Sequence, residues 1–354
     1  RIFSCRPTSQ EEERPCAERI IGRLATQAYR RALEDRDIEA LLNFYDQGAS
    51  EGGFELGIRT AIEAMLVSPY FLFRIESVPH GVEAGEIFPV DDIDLASRLS
   101  FFIWGVGPDA RLLSAAHENR LSDPDFLESE TLRMLADPRS ESLSTRFAHL
   151  WLRLQDLEQV QPDAFWFPNY SKQLSEDMRR ETEVFFNNLV SEDRSLLELL
   201  EADYTFVNER LADHYGFKGV TGEEFLRVNY PEGNRRGLLG HGSVLAQTSL
   251  ANRTSPVLRG KWVMEVLLGV PPPPPPPGIP DLEETSNTDG ARVLTTSERM
   301  RAHRSNPTCA SCHNLIDPIG LALDHFDVTG KWRTRENRML LDTRGTFYDG
   351  TEIS

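Results

Sequence analysis

The sequence predicts a mainly α-helical protein built from multi-helix domains, with few short strands. Three observations carry this. Apolar residues recur at spacings of three and four in one segment after another. Alternating runs of strand length are scarce. Seven consecutive prolines at 271–277 separate a long helical block from a short C-terminal part.

With 354 residues the chain has room for two or three domains and a sizeable core. Residues 1–15 are polar, contain Pro7 and Pro15, and read as an irregular lead-in. From Cys16 onward Ile20, Ile21, Leu24 and Ala28 form a helical stripe. Further helices fit 37–47 and 54–67, the second ended by Ser68-Pro69. These make an N-terminal helical domain over 1–78, followed by a linker at 78–86.

A central helical domain is expected over 88–270. Asp91-Asp92-Ile93-Asp94 is an acidic helix start ahead of Leu95, Leu99 and Phe102-Phe-Ile-Trp104. Helical periodicity returns at 109–116, 126–136, 140–157, 171–190, 195–200, 207–215 and 257–268. The pattern weakens at 225–230 and 236–245, where a strand or loop fits. The proline run reads as a stiff strap of about 3.1 Å per residue, roughly 20 Å in all. With the polar stretch after it, it forms a linker over 271–294.

The last part, 295–354, begins with a helix ended by Pro307. A second helix follows near Thr308 and is expected to break at Asp317-Pro318-Ile-Gly320. Residues 339–342 and 346–348 are expected to pair as a hairpin.

Lys and Arg number 38 and Asp and Glu 56, for a net charge of −18. That argues against a nucleic-acid partner, whose phosphates need a basic face, and against anionic membrane surfaces. No run of 18 apolar residues offers a membrane span. The chain starts at Arg1 and is read as processed, or as a piece of a longer protein.

Cys309-Ala-Ser-Cys312-His313 has the spacing that attaches haem c. Positions three apart share a helix face, so both thiols reach the two vinyl groups of one porphyrin. His313 is then the proximal ligand of the iron. A zinc site needs four ligands, usually two such pairs, and Cys5 and Cys16 lie almost 300 residues away. A dithiol redox site needs a strand before its helix. The motif leaves the sixth ligand open. His303 is the first candidate, across the Ser305-Asn-Pro307 turn, with Met300, Met339 and His325 as alternatives. An open position is a further possibility and would allow chemistry on the iron.

The stretch Cys309-Ala-Ser-Cys-His-Asn-Leu-Ile-Asp-Pro-Ile-Gly-Leu-Ala-Leu-Asp-His-Phe-Asp-Val-Thr-Gly-Lys-Trp-Arg333 resembles the haem segment of planctomycete-type cytochrome-c-linked secreted multidomain proteins. Arg253-Thr-Ser-Pro-Val-Leu-Arg-Gly-Lys-Trp262, Asp94-Leu-Ala-Ser-Arg-Leu-Ser-Phe-Phe-Ile-Trp104, Tyr204-Thr-Phe-Val-Asn-Glu-Arg-Leu211 and Ser68-Pro-Tyr-Phe-Leu-Phe-Arg74 are similar to its other segments. The resemblance implies a C-terminal cytochrome-c-like haem segment with one covalent haem c, and a periplasmic or cell-surface setting. It supplies no reaction. His241 stands where the family carries glutamine, so the resemblance gives it no catalytic role.

Cys5 and Cys16 read as a disulfide in an oxidising compartment, with two free thiols as the alternative. His241-Gly-Ser243 does not make a nucleophile elbow. Asp281, Glu283, Glu284, Asn287 and Asp289-Gly290 lack the order of a calcium loop. Trp332 is core by default, or a cover for the haem edge. The expected function is electron transfer through one haem c, as a module working with a redox partner protein or domain. The alternatives are a haem-dependent oxidoreductase of unknown substrate, and a surface protein in which haem is structural.

Overall fold

A computed structural model describes residues 2–76, 78–79, 81–231, 233–274, 288–289, 292–305, 307–336, 338–347 and 349–353. The chain divides into two compact units, 1–143 and 144–354. The expected linker at 78–86 lies inside the first. The proline run lies inside the second, and its residues 275–277, like the oxygen-rich loop at 281–287, fall outside the described residues.

In the first unit, α1 (Gln10–Tyr29) packs against α2 (Asp35–Leu66). The expected stripe lines the seam: Ile20 and Ile21 are buried with Leu41, Leu42, Tyr45, Ile58 and Met65, and Leu24 and Ala28 pack partly buried against them. The helix starts earlier than expected, because Glu11, Glu12 and Glu13 suit a helix N-terminus. The two expected helices after it are the arms of α2. They are separated where Gly52 and Gly53 leave helical geometry, with Gly53 at φ 79°. Cys5 and Cys16 form a disulfide, with Cα atoms 6.0 Å apart, which ties the lead-in to α1.

Three further helices follow the short α3 (Pro69–Leu72): α4 (Asp92–Ile103), α5 (Ala110–His117) and α6 (Pro124–Leu135). Each starts on an aspartate whose carboxylate accepts from a backbone N–H of the first turn: Asp91, Asp109 and Asp123.

The second unit is also helical, with β1 (Tyr204–Val207) and β2 (Leu226–Asn229) as an antiparallel pair in register Tyr204↔Asn229. The expected helix over 140–157 is instead broken. A 3-10 turn (Pro138–Glu141) and a π-helical turn (Leu143–Ala148) lead to α7 (His149–Trp151). Arg153 then takes a left-handed conformation before another 3-10 turn (Leu154–Gln159). Residue 207 belongs to the strand, so the expected 207–215 helix starts later, capped by Asn208.

The helices that matter for the site are α8 (Lys172–Ser191), α9 (Glu198–Glu201), α10 (Glu209–Tyr215), α11 (Gly242–Gln247), α12 (Pro256–Trp262), α13 (Thr296–His303) and α14 (Pro307–Ala322). α14 runs through Asp317-Pro318 and Gly320, where a break was expected. Proline removes one helical hydrogen bond but leaves φ helical, and packing on two sides offsets that loss. Helix α12 lies on one side. On the other, Gly345 sits so close to Pro318 that a Cβ would meet the proline backbone.

The remaining strands are two-residue pairs: β3 (Thr288–Asp289) with β4 (Arg292–Val293), β5 (Arg335–Glu336) with β6 (Met339–Leu340), and β7 (Gly345–Thr346) with β8 (Glu352–Ile353). The expected 339–342/346–348 hairpin is therefore not formed, although both segments contain strands. Each pairs with a different neighbour, through turns with Arg338 at φ 69° and Gly350 at φ 85°. Tyr348 lies outside the described residues. Among the described residues, no helix is long and apolar enough to cross a membrane.

Candidate functional site

The thiols of Cys309 and Cys312 are both free, Cys309 buried and Cys312 half-buried, one turn apart on α14. His313 follows on the same helix. Its Nδ1 bonds Asp317 Oδ1 at 2.9 Å, one turn further along. With Nδ1–H donated to the carboxylate, Nε2 carries the lone pair a metal needs.

The end of α13 folds back onto this helix. The His303 ring meets the His313 ring at 4.8 Å between centroids, with planes at 69°. Arg304, the C-cap of α13, places Nε 3.5 Å from Asp317 Oδ2. Burial lowers the pKa of His303, helped by His313 and opposed by Asp317. The start of α13 is fixed by Glu336, whose carboxylate accepts from Thr296 N at 2.9 Å and Thr296 Oγ1 at 2.7 Å.

Of the other sixth-ligand candidates, Met300 is buried in α13 and Met339 is half-buried in β6. His325 stacks on Trp332 at 4.6 Å, and its Nδ1 meets the Arg333 carbonyl at 2.9 Å. Trp332 is thus engaged with His325, and also with Phe326 at 5.1 Å. Only His303 has a described ring contact with His313.

The donor set suits a covalently held haem. A porphyrin supplies four of the iron's ligands, so the protein need offer only attachment points and axial donors. Here two free thiols and an imidazole with an oriented ring stand on one helix, with a second imidazole against the first. Among the described residues no group of three or more His, Cys, Asp or Glu side chains converges as it would for a metal held by the protein alone.

A network of buried polar groups fixes the chain just after α14 to the segment before the proline run. Arg259 on α12 is 1% exposed. Its Nη1 donates to the carbonyls of Leu323 and Phe326, at 2.6 and 2.8 Å. Its Nη2 donates to the Asp327 carbonyl and to Ser249 Oγ, at 2.9 and 3.2 Å. Asp324 accepts from Thr254 Oγ1 at 2.6 Å and Arg333 Nη2 at 3.0 Å. Burial pushes Arg259 down to about 10, against the pull of Asp324.

A second buried cluster centres on α8. Glu181 accepts from Thr205 Oγ1 at 2.6 Å and Tyr215 OH at 2.7 Å, and Gly242 N donates to that same phenol at 2.7 Å. Burial raises Glu181 to about 7. His241 Nδ1 meets Thr182 Oγ1 at 3.0 Å, its Nε2 has no partner among the described residues, and burial lowers the pKa of His241 to about 3. His241 is fully buried.

Sequence reasoning missed Asp317, Arg304, Arg259 and Glu181. Asp317 alone carried a local signal, four residues after His313 on one helix.

Three stretches of the chain match family models. Residues 16–76 match PSD5, "Protein of unknown function (DUF1595)". Residues 90–217 match PSD4, "Protein of unknown function (DUF1592)". Residues 235–336 match PSCyt3, "Protein of unknown function (DUF1588)". Together they support the planctomycete-type multidomain family, and the name of the third is cytochrome-like. No curated protein and no solved structure matches the chain.

Proposed function

We propose that the chain holds one haem c and transfers electrons, as a module of a larger redox assembly in the periplasm or at the cell surface. Cys309 and Cys312 would hold the haem, each thiol adding across one vinyl group with sulfur to one carbon and hydrogen to the other. His313 would offer Nε2 to the iron, and His303 would be the second donor, with Met300 and Met339 as the alternatives. A haem bound there supplies a one-electron Fe(III)/Fe(II) couple.

The observation that carries this reading is two free thiols one turn apart with His313 next along the same helix, its ring held by Asp317. His303 touches the His313 ring, and the two rings would have to part to admit an iron between them; two imidazoles would then close the coordination sphere, which suits electron transfer rather than chemistry on an open iron. The Cys5–Cys16 disulfide is compatible with the oxidising compartments in which haem c is attached. The redox partner is a protein or another domain.

Acid–acetone extraction tests attachment: the colour should stay with the protein, and haem leaving with the solvent refutes it. The spectrum tests the ligand. The unmodified protein should be low-spin and should not bind carbon monoxide when reduced. His303→Ala should turn high-spin and bind it. An unmodified protein that is already high-spin makes the haem-dependent oxidoreductase the better reading.

A further inference from the structure

The carboxylate behind His313 is stronger than orientation alone requires. A backbone carbonyl would hold the imidazole in place at no cost in buried charge. Asp317 is instead a fully buried acid, a group that is expensive to bury unless paired. Its Oδ1 takes the His313 Nδ1 proton at 2.9 Å. Among the described residues its Oδ2 makes no hydrogen bond, and Arg304 Nε stands at 3.5 Å, beyond good bonding distance. The carboxylate is thus directed mainly at the imidazole.

A carboxylate hydrogen-bonded to the outer nitrogen of a ligating histidine raises the basicity of the inner one. We propose that Asp317 is a tuning residue of the haem site. By drawing on the Nδ1 proton it makes Nε2 of His313 an electron-rich donor, which favours the oxidised iron and lowers the potential. Arg304 opposes this pull from the other oxygen. The inference rests on the haem reading. It is distinct from a purely structural role, in which Asp317 would only join α13 to α14.

The test uses the full chain and two readouts: the one-electron midpoint potential, and the iron–histidine stretch of the reduced protein after photolysis of its carbon monoxide adduct, with His303→Ala as background where the site is closed. Asp317→Asn should shift the Fe(III)/Fe(II) equilibrium at least tenfold toward the reduced form, about 59 mV for one electron. It should also lower the stretch. Arg304→Gln should move both readouts the opposite way, and it answers the question alone if the first variant does not fold. Haem attached but both readouts unmoved overturns this inference and leaves the haem reading standing. A shifted potential with an unmoved stretch reduces Asp317 to a distant charge and also overturns it. An unmodified chain without covalent haem overturns both.

Discussion

A Cβ on Gly320 would run into the backbone carbonyl of Pro256. The same holds for Gly260 and the carbonyl of Ile316, so α12 and α14 each offer a glycine where the other's backbone passes. The two helices cross without side chains between them at these points. Gly260→Ala and Gly320→Ala should each cost at least the ~1–3 kcal/mol of an overpacked core, because backbone cannot turn aside as a side chain can. Gly107→Ala, which meets its neighbours at no less than 3.7 Å, should stay within about 0.5 kcal/mol. Denaturant midpoints compare the three, and equal values would refute the close crossing.

Arg259→Lys should destabilise the second unit although it keeps the charge. One ammonium cannot span carbonyls that a planar fork reaches from two nitrogens. Each buried carbonyl left without a donor costs about 1–3 kcal/mol. Thermal unfolding should show the loss, and an unchanged Tm would mean the network is not needed.

The Cys5–Cys16 bridge joins cysteines at a sequence separation of 11. Replacing both cysteines by serine should cost about 3 kcal/mol, by analogy with loops of similar length. The loss should appear in the unfolding of α1 and α2, while the haem spectrum stays as it was. Alkylation of Cys5 and Cys16 themselves, located by peptide mass in unreduced, unfolded protein, would refute the bridge.

Stability should depend on pH through Glu181 and His214. Burial raises Glu181 from 4.5 to about 7, so between those values the folded chain holds a proton that the unfolded chain has released. This contribution is lost as pH rises through 7. Glu181→Gln should therefore gain on the unmodified protein between pH 4.5 and 7, read as a widening difference in Tm. Burial lowers His214 from 6.5 to about 4. The unfolded chain then binds the extra proton, and stability falls as pH drops below 6.5. His214→Gln should flatten that acid limb. A Tm difference for either variant that is constant from pH 4 to 8 sinks its assignment.

The helices were legible where one side of them faces a core. Ile20, Ile21, Leu24 and Ala28 announced α1, and Asp91 announced the start of α4. The thiol spacing placed the site on a helix. What escaped was set by distant chain. Arg259 reads as a surface cation, and only the carbonyls of residues 323, 326 and 327 make it an interior one. Pro318 reads as a helix end, and only α12 and Gly345 keep the helix going past it. Two-residue strands carry too few side chains to declare a partner. The His303–His313 meeting was half legible, since the turn at Pro307 suggested a fold-back and put His303 first, but left Met300, Met339 and His325 as alternatives.

The crossing of α12 and α14 joins chain from both sides of the proline run. A protease that severed the backbone anywhere in 271–294 would therefore release nothing. The two fragments would travel together on a native gel and part only in denaturant, with the thiols of Cys309 and Cys312 on the smaller one. Length changes in that run should be tolerated for the same reason.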